Sequence, residues 1–232
     1  KKYGNLPKSM VPHAPYSVTP QLFKLINHQN CDPTVISIHN QEVMDEDLLF
    51  LSKQGGFLDF YQHFGFNLDT FLPTGKTSIH YTLSHLDPKH NVLLVHNTMM
   101  GLEDIIVAKN RISQIYFVTC PNANLYIENN LPDYKHFIET GSTMCIGTDS
   151  LSSNWSLSIL EEIKTIHKYN QWIPLQSIFS WATINGARAL KMDNCFGSFE
   201  IHKSPGLNWI QEFKRMDGIS LLPQSAGVKK IL

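Results

Sequence analysis

Five short runs of β-branched and apolar residues alternate with helix-patterned stretches, and this alternation constrains the fold more than any other feature. The runs are Ser9–Pro12, Thr34–His39, Asn91–His96, Gln114–Cys120 and Thr143–Thr148. Each is nearly continuous in apolar character and bounded by turn residues, as strands of a parallel sheet buried on both faces should be. Between them, helices are predicted over Pro20–Gln29 behind a Thr19 cap, Gly101–Arg111, Asp133–Thr140 and Leu157–Tyr169, with a further amphipathic helix over Pro174–Leu190. Strand alternating with helix at this spacing implies an α/β chain built from βα repeats.

Two regions depart from the alternation. Val43–His90 is less regular, with paired glycines (Gly55, Gly56), aromatics and the run Gly75–Lys76–Thr77–Ser78. That run invites a phosphate-loop reading, but such a loop needs glycine at position 70, where this chain has threonine, and a strand leading into it. After residue 196 the pattern changes to short strands over Gly197–Ile210, Gly218–Leu222 and Val228–Leu232, linked by Gly and Pro. The expected organisation is therefore a βα-repeat domain over 1–196 and part of a small β module over 197–232.

Composition excludes several classes of function. A net charge of −1 over 232 residues offers no basic surface for nucleic acid. The longest apolar runs, such as VLLV and ISLL, fall far short of the roughly 20 residues a membrane span needs, so no membrane partner is expected. The four cysteines (Cys31, Cys120, Cys145, Cys195) form no CxxC pair, which favours a reducing, cytoplasmic setting over a disulfide framework.

The polar residues that end the apolar runs are more informative. Val11–Pro12 leads into His13, Val35–Ile38 into His39, Leu93–Val95 into His96, and Cys145–Thr148 into Asp149. In a (β/α) barrel the C-terminal strand ends form the active face, so four such ends carrying ligand-capable side chains point to one site. Glu42, three residues after His39, is placed to move protons at a metal-activated water; the plainer alternative opens a surface helix with Asp45, Glu46 and Asp47. Asp149 is costly to bury unless it is paired or bound to metal; the alternative makes it a helix N-cap, with Ser150, Ser152 and Ser153 as rivals.

In sequence order, VPHAPYSV (11–18), ISIHNQE (36–42), LLVHNTMMGLED (93–104), VTCPNANLY (118–126), IGTDSLSSNWSLSILEE (146–162), WATINGARAL (181–190) and GSFEIHKSPGLNWI (197–210) carry a family resemblance. The chain resembles the amidohydrolase superfamily, in the branch of cytosine, guanine, S-adenosylhomocysteine and aminofutalosine deaminases and the chlorohydrolases. The resemblance implies a TIM-type (β/α) barrel of the metal-dependent hydrolase kind, with only the fourth to eighth strands present, followed by C-terminal strands of a small β-sandwich domain. It implies that His39 and Asp149 bind a divalent metal, zinc being expected. Glu42, His96 and Asp149 are then the catalytic groups. Glu42 shuttles protons, His96 polarises the attacked group and steadies the tetrahedral intermediate, and Asp149 accepts a proton from the metal's water. His13, with Glu42, contacts substrate.

The implied activity is hydrolysis of a C–N bond other than a peptide bond. Hydroxide generated at the metal attacks an aminated heterocycle or nucleoside derivative and ammonia leaves. Hydrolysis of a C–Cl or cyclic amide bond is the alternative within the enzyme class, and a non-catalytic barrel without metal the alternative outside it. The family's metal site also uses an HxH pair, and none occurs in these 232 residues. This chain is therefore expected to be part of a longer protein and inactive alone. The tail motif GKxAD of the family reads here as His202–Lys203–Ser204–Pro205–Gly206. A small-molecule substrate is the expected partner. Five parallel strands cannot close a barrel, so a second copy is expected to cover the open edge beside Ser9–Pro12.

Overall fold

The computed structural model describes residues 7–216 and 219–231. In chain order, the elements are α1 (Pro20–Gln29), β1 (Val35–Asn40), α2 (Met44–Ser52), α3 (Gly56–His63), α4 (Ser78–His85), β2 (Asn91–His96), α5 (Leu102–Arg111), β3 (Ile115–Thr119), α6 (Pro121–Glu128), α7 (Tyr134–Glu139) and β4 (Met144–Ile146), then α8 (Ile159–Tyr169), α9 (Leu175–Ser180), α10 (Gly186–Ala189), β5 (Asn208–Ile210), β6 (Lys214–Met216), β7 (Ile219–Leu221) and β8 (Val228–Lys230). They fall into two compact units. The first runs to Tyr116 and includes Pro132–Gly141; the second comprises Phe117–Leu131 and the chain from Ser142 onward. The boundary expected at 196/197 lies within the second unit and remains a proposal.

In the first unit β1 and β2 pair in parallel from Val35↔Asn91 to Asn40↔His96. Ile36, Ile38, Val92 and Leu94 are at most 1% exposed and form its centre with Phe23, Phe50 and Ile79. The helices begin where their sequences say they should. Thr19 caps α1 by accepting from the Leu22 N–H, with Pro20 at the first helical position. In α5, Glu103 and Asp104 occupy the first turn and Lys109 and Arg111 the last, complementing the helix dipole.

In the second unit β3 pairs in parallel with β4 over Phe117↔Met144 to Thr119↔Ile146. The helix predicted over Pro174–Leu190 is present as α9, a π turn over Trp181–Asn185, and α10. The Asn185 amide donates to the Met144 carbonyl at 2.9 Å, tying the π turn to β4. Beyond it, β5 pairs antiparallel with β8, and β6 with β7.

Several expectations need correction. Ser9–Pro12 is not a ladder strand: Pro7, Pro12 and Pro15 remove donors, and Met10 and Val11 are exposed. The segment is instead held by Asn30, which bonds both the N–H and the carbonyl of Met10, and by the His39 N–H donating to the His13 carbonyl. The βα strands among the described residues are thus four, β1 to β4. The irregular region contains three helices, α2 to α4, and α6 follows β3 directly behind Pro121. Only Asn208–Ile210 of the strand expected over Gly197–Ile210 forms, because His202 and Gly206 turn the backbone into the left-handed region. Gly218 and Leu232, at the limits of two expected strands, lie outside the described residues.

Gly197 shows how tightly the second unit is packed after α10. Its φ is +92°, and a Cβ there would stand 2.8 Å from the Ala187 Cβ and 2.9 Å from the Ile184 Cα. Gly141 also has positive φ but open space around it. Gly197→Ala should destabilise by about 2–4 kcal/mol, conformational cost plus overpacking. Gly141→Ala should cost only about 1–2 kcal/mol. Urea unfolding of both variants checks this, and equal losses would contradict the packing argument.

Candidate active site

His39 lies next to last in β1 and His96 is the last residue of β2, so the parallel register brings both to the same end of the pair. Their rings stack at 4.9 Å between centroids and 17° between planes, and His96 Nε2 lies 2.8 Å from His39 Nδ1. Glu42, just past β1, brings Oε1 to 3.3 Å from the same His96 nitrogen. His13 meets His39 edge-on at 5.0 Å, its Nδ1 engaged by Ser17 Oγ at 2.8 Å. Four of the five residues singled out from sequence therefore converge within the first unit.

The backbone here is strained. His96 has φ +74°, Asn97 +57° and Gln41 +44°, a region that non-glycine residues enter at a cost of about 1–3 kcal/mol each. Hydrogen bonds hold it there. Asn97 donates its N–H to the Asn40 carbonyl at 3.0 Å, accepts from the Asn40 amide at 3.1 Å, and donates its own amide to the Leu94 carbonyl at 2.8 Å. This clamp joins the ends of β1 and β2 and fixes the turn on which His96 sits.

A second, larger network lies behind Glu42. Glu46 is fully buried and accepts the N–H groups of Gln41 and Glu42 at 2.8 and 3.2 Å, along with the Ser78 hydroxyl. Burial raises its pKa to about 8 against these hydrogen bonds, which favour the ionised form. The Gln41 amide donates to Asp47 and Asp104, each at 2.9 Å. The Ser78 N–H donates to Asp47 at 2.8 Å, and the Thr77 hydroxyl to Asp104 at 2.8 Å. The acids that could have marked a surface helix are thus largely interior. The Thr77–Ser78 pair, suggestive of a phosphate loop, instead meets carboxylates at the start of α4. Tyr16 stacks on Phe57 at 4.3 Å, and its pKa is raised by burial first and by the charges of Glu42 and Glu46 second.

Asp149 belongs to the second unit, on the turn after β4, with φ +56°. It accepts from the Ser153 hydroxyl; no helix starts there, since α8 begins at Ile159, so the capping alternative does not hold. The turn is fastened by Glu162 of α8, which is fully buried. Glu162 accepts the Asn122 N–H at 2.9 Å and side-chain amides of Asn122 and Asn154 at 3.1 and 2.6 Å, while Asn154 donates to the Thr148 carbonyl at 2.7 Å. Sequence reading missed Glu46, Asp104 and Glu162. The signal available was acids in the first turns of α2, α5 and α8 on otherwise amphipathic helices.

Among the described residues, His39, Glu42 and His96 could together hold a metal ion, their ligand-capable atoms lying within 4.8 Å of one another. Two imidazoles and a carboxylate suit a borderline divalent ion such as zinc, so the residues present fit one.

The model of the Amidohydrolase family matches residues 53–227, more than half of the chain. The chain belongs to the amidohydrolase family. It is 29% identical over 208 residues to an adenosine deaminase of Helicobacter pylori, covering 88% of this chain and 49% of that protein. The solved aminofutalosine deaminase of H. pylori, in complex with methylthio-coformycin, superposes with a TM-score of 0.71 at 25% identity, covering 88% of this chain and 51% of that one. A zinc-bound adenosine deaminase from Xanthomonas campestris superposes at 0.66 and 21% identity, covering 88% of this chain and 44% of that one, which speaks for the fold alone. The chain spans about half the length of the amidohydrolases it matches, and the shared fold is of the TIM-barrel type with parallel strands. No helix among the described residues is long and apolar enough to cross a membrane.

Burial is the main influence raising the Glu162 pKa, with the neighbouring Glu161 charge adding to it. A carboxyl raised on folding binds protons more readily in the native state, so it lowers stability as pH rises above the ordinary Glu value near 4.3. Glu162→Gln should flatten that decline above the ordinary Glu value near pH 4.3. Thermal unfolding across this range reads it, and an unchanged slope would contradict the assignment.

Proposed function

We propose that the protein to which this chain belongs deaminates a 6-aminopurine nucleoside or a related aminated heterocycle, using one divalent metal, zinc being the expected ion. The convergence of His39, Glu42 and His96 at adjoining strand ends carries the reading. The activities of the amidohydrolases it resembles, an adenosine deaminase and an aminofutalosine deaminase, narrow the substrate class. By the same reading the four βα strands belong to the later part of a barrel, β5–β8 to a small β domain, and a second copy covers the open edge.

His39 is the proposed metal ligand in the first unit, and Asp149 is proposed as another on the strength of its motif. A divalent ion held by such groups supplies Lewis-acid activation of water at neutral pH. Glu42 takes up a proton at Oε1 and delivers it to the ring nitrogen beside the attacked carbon, which then loses ammonia. His96, wholly buried, offers Nε2 to the oxygen that develops charge, a contact typically worth about 3–4 kcal/mol in the transition state. His13, exposed and held through Nδ1, presents Nε2 to the substrate. Asp149 accepts a proton when water is activated.

Ammonia release from a panel of aminopurine nucleosides and aminated bases, using the full-length protein, tests this reading. Glu42→Gln should lower kcat by about 10²–10⁴ with KM little changed. His39→Ala and Asp149→Asn should abolish turnover, and chelation followed by zinc should remove and restore it. Near-normal ammonia release from His39→Ala or Asp149→Asn would refute the assigned roles.

A further inference from the structure

We propose that Glu46 is a positioning residue: its carboxylate holds the main chain of Gln41 and Glu42 and thereby sets where the Glu42 side chain stands against His96. The inference rests on the reading of Glu42 as the proton carrier and adds a residue to it.

The geometry is specific. β1 ends at Asn40, and the next residue, Gln41, enters the left-handed region at φ +44° without being glycine. That turn leaves the N–H groups of residues 41 and 42 directed at one carboxylate. Glu46 Oε1 takes the first at 2.8 Å and Oε2 the second at 3.2 Å. The carboxylate cannot swing away, because Glu46 sits in the first turn of α2, is 0% exposed, and accepts the Ser78 hydroxyl on Oε1 at 2.5 Å. The Gln41 side chain is fixed separately, its amide shared between Asp47 and Asp104. The strained residue is therefore held on both its main chain and its side chain, and the residue it delivers is Glu42, 3.3 Å from His96 Nε2. An interior carboxyl group serving only to fill space would be a costly choice, since an apolar residue of similar volume packs without desolvating a polar group. What an apolar side chain cannot do is receive two adjacent backbone N–H groups at once.

Glu46→Gln in the full-length protein separates positioning from packing. Glutamine keeps the volume but replaces one oxygen with an NH₂ group, setting donor against donor at the Glu42 or the Gln41 N–H. Amide exchange at Gln41 and Glu42 should quicken by about tenfold or more, while the amides of Leu49 and Phe50 in α2 keep their protection. Misplacing a reacting group by an ångström costs up to about 100-fold in rate. The variant should therefore lose about 10- to 100-fold in kcat with KM within about twofold. Ser78→Ala, which removes only the hydroxyl donor, should move exchange and kcat in the same direction by less, and it decides the matter if Glu46→Gln does not fold. Unchanged exchange at residues 41 and 42, or loss of kcat matched by general loss of protection through α2, overturns the proposal. A wild-type protein that releases no ammonia from any aminopurine refutes the deaminase reading instead, and exchange then decides the role of Glu46 alone.

Discussion

The loops of this chain depend on buried carboxylates that accept backbone N–H groups. A carboxyl group taken out of water is costly unless hydrogen bonds replace its solvation, and burial pushes the pKa of both Glu46 and Glu162 up, toward the neutral form. Glu46 meets that condition with two adjacent main-chain donors and a hydroxyl, and Glu162 with one main-chain donor and two amides. In each unit the carboxyl group belongs to the first turn of the helix after a strand; Glu46 holds the main chain between β1 and α2, while Glu162 joins the Asn154 amide of the loop before α8 to the Asn122 N–H at the start of α6. The bonds run only one way: if the loop moves, a buried acid loses its partners, a loss larger than an ordinary surface hydrogen bond.

That asymmetry explains how strained backbone survives at His96 and Asp149. His96 adopts positive φ as the last residue of β2, and Asp149 does so on the turn that follows β4. Glycine would make the turn without strain but would carry no ligand atom. The chain keeps the side chain and offsets the strain elsewhere: with the Asn40–Asn97 clamp behind His96, and with Asn154 and the Ser153 hydroxyl around Asp149.

Much of this was legible in sequence because the strands obey a simple rule. β2 and β3 are buried almost throughout, so their apolar runs are continuous and their ends conspicuous, and His96 at the end of β2 stands out by contrast. Ser9–Pro12 misled because its Val–Pro reads as apolar while its prolines lack the donors a ladder needs. The helices between Val43 and His90 were hidden for the opposite reason. The interior faces of α2 and α4 mix Glu46, Asp47, Ser78 and Thr82 with apolar residues and α3 buries no residue fully, so hydrophobic periodicity registers these helices poorly. Nor can residues 41, 47, 77 and 104 be seen as one network from their order, because their pairing requires the folded positions of β1, α2, α4 and α5.

The two imidazoles carry the argument one step further. A 2.8 Å contact between His96 Nε2 and His39 Nδ1 needs one donor and one acceptor, so at least one of these nitrogens carries no hydrogen. Stacked at 17°, the rings would repel if both were cationic. Neutral imidazole is the form in which histidine ligates a metal or accepts a proton. Glu42 sets its carboxyl Oε1 3.3 Å from the same His96 nitrogen. A site meant only to hold β1 and β2 together would gain more from apolar strand ends. Two imidazoles and a carboxylate on strained, heavily braced turns at one end of a parallel pair are the arrangement on which the proposed proton transfer rests.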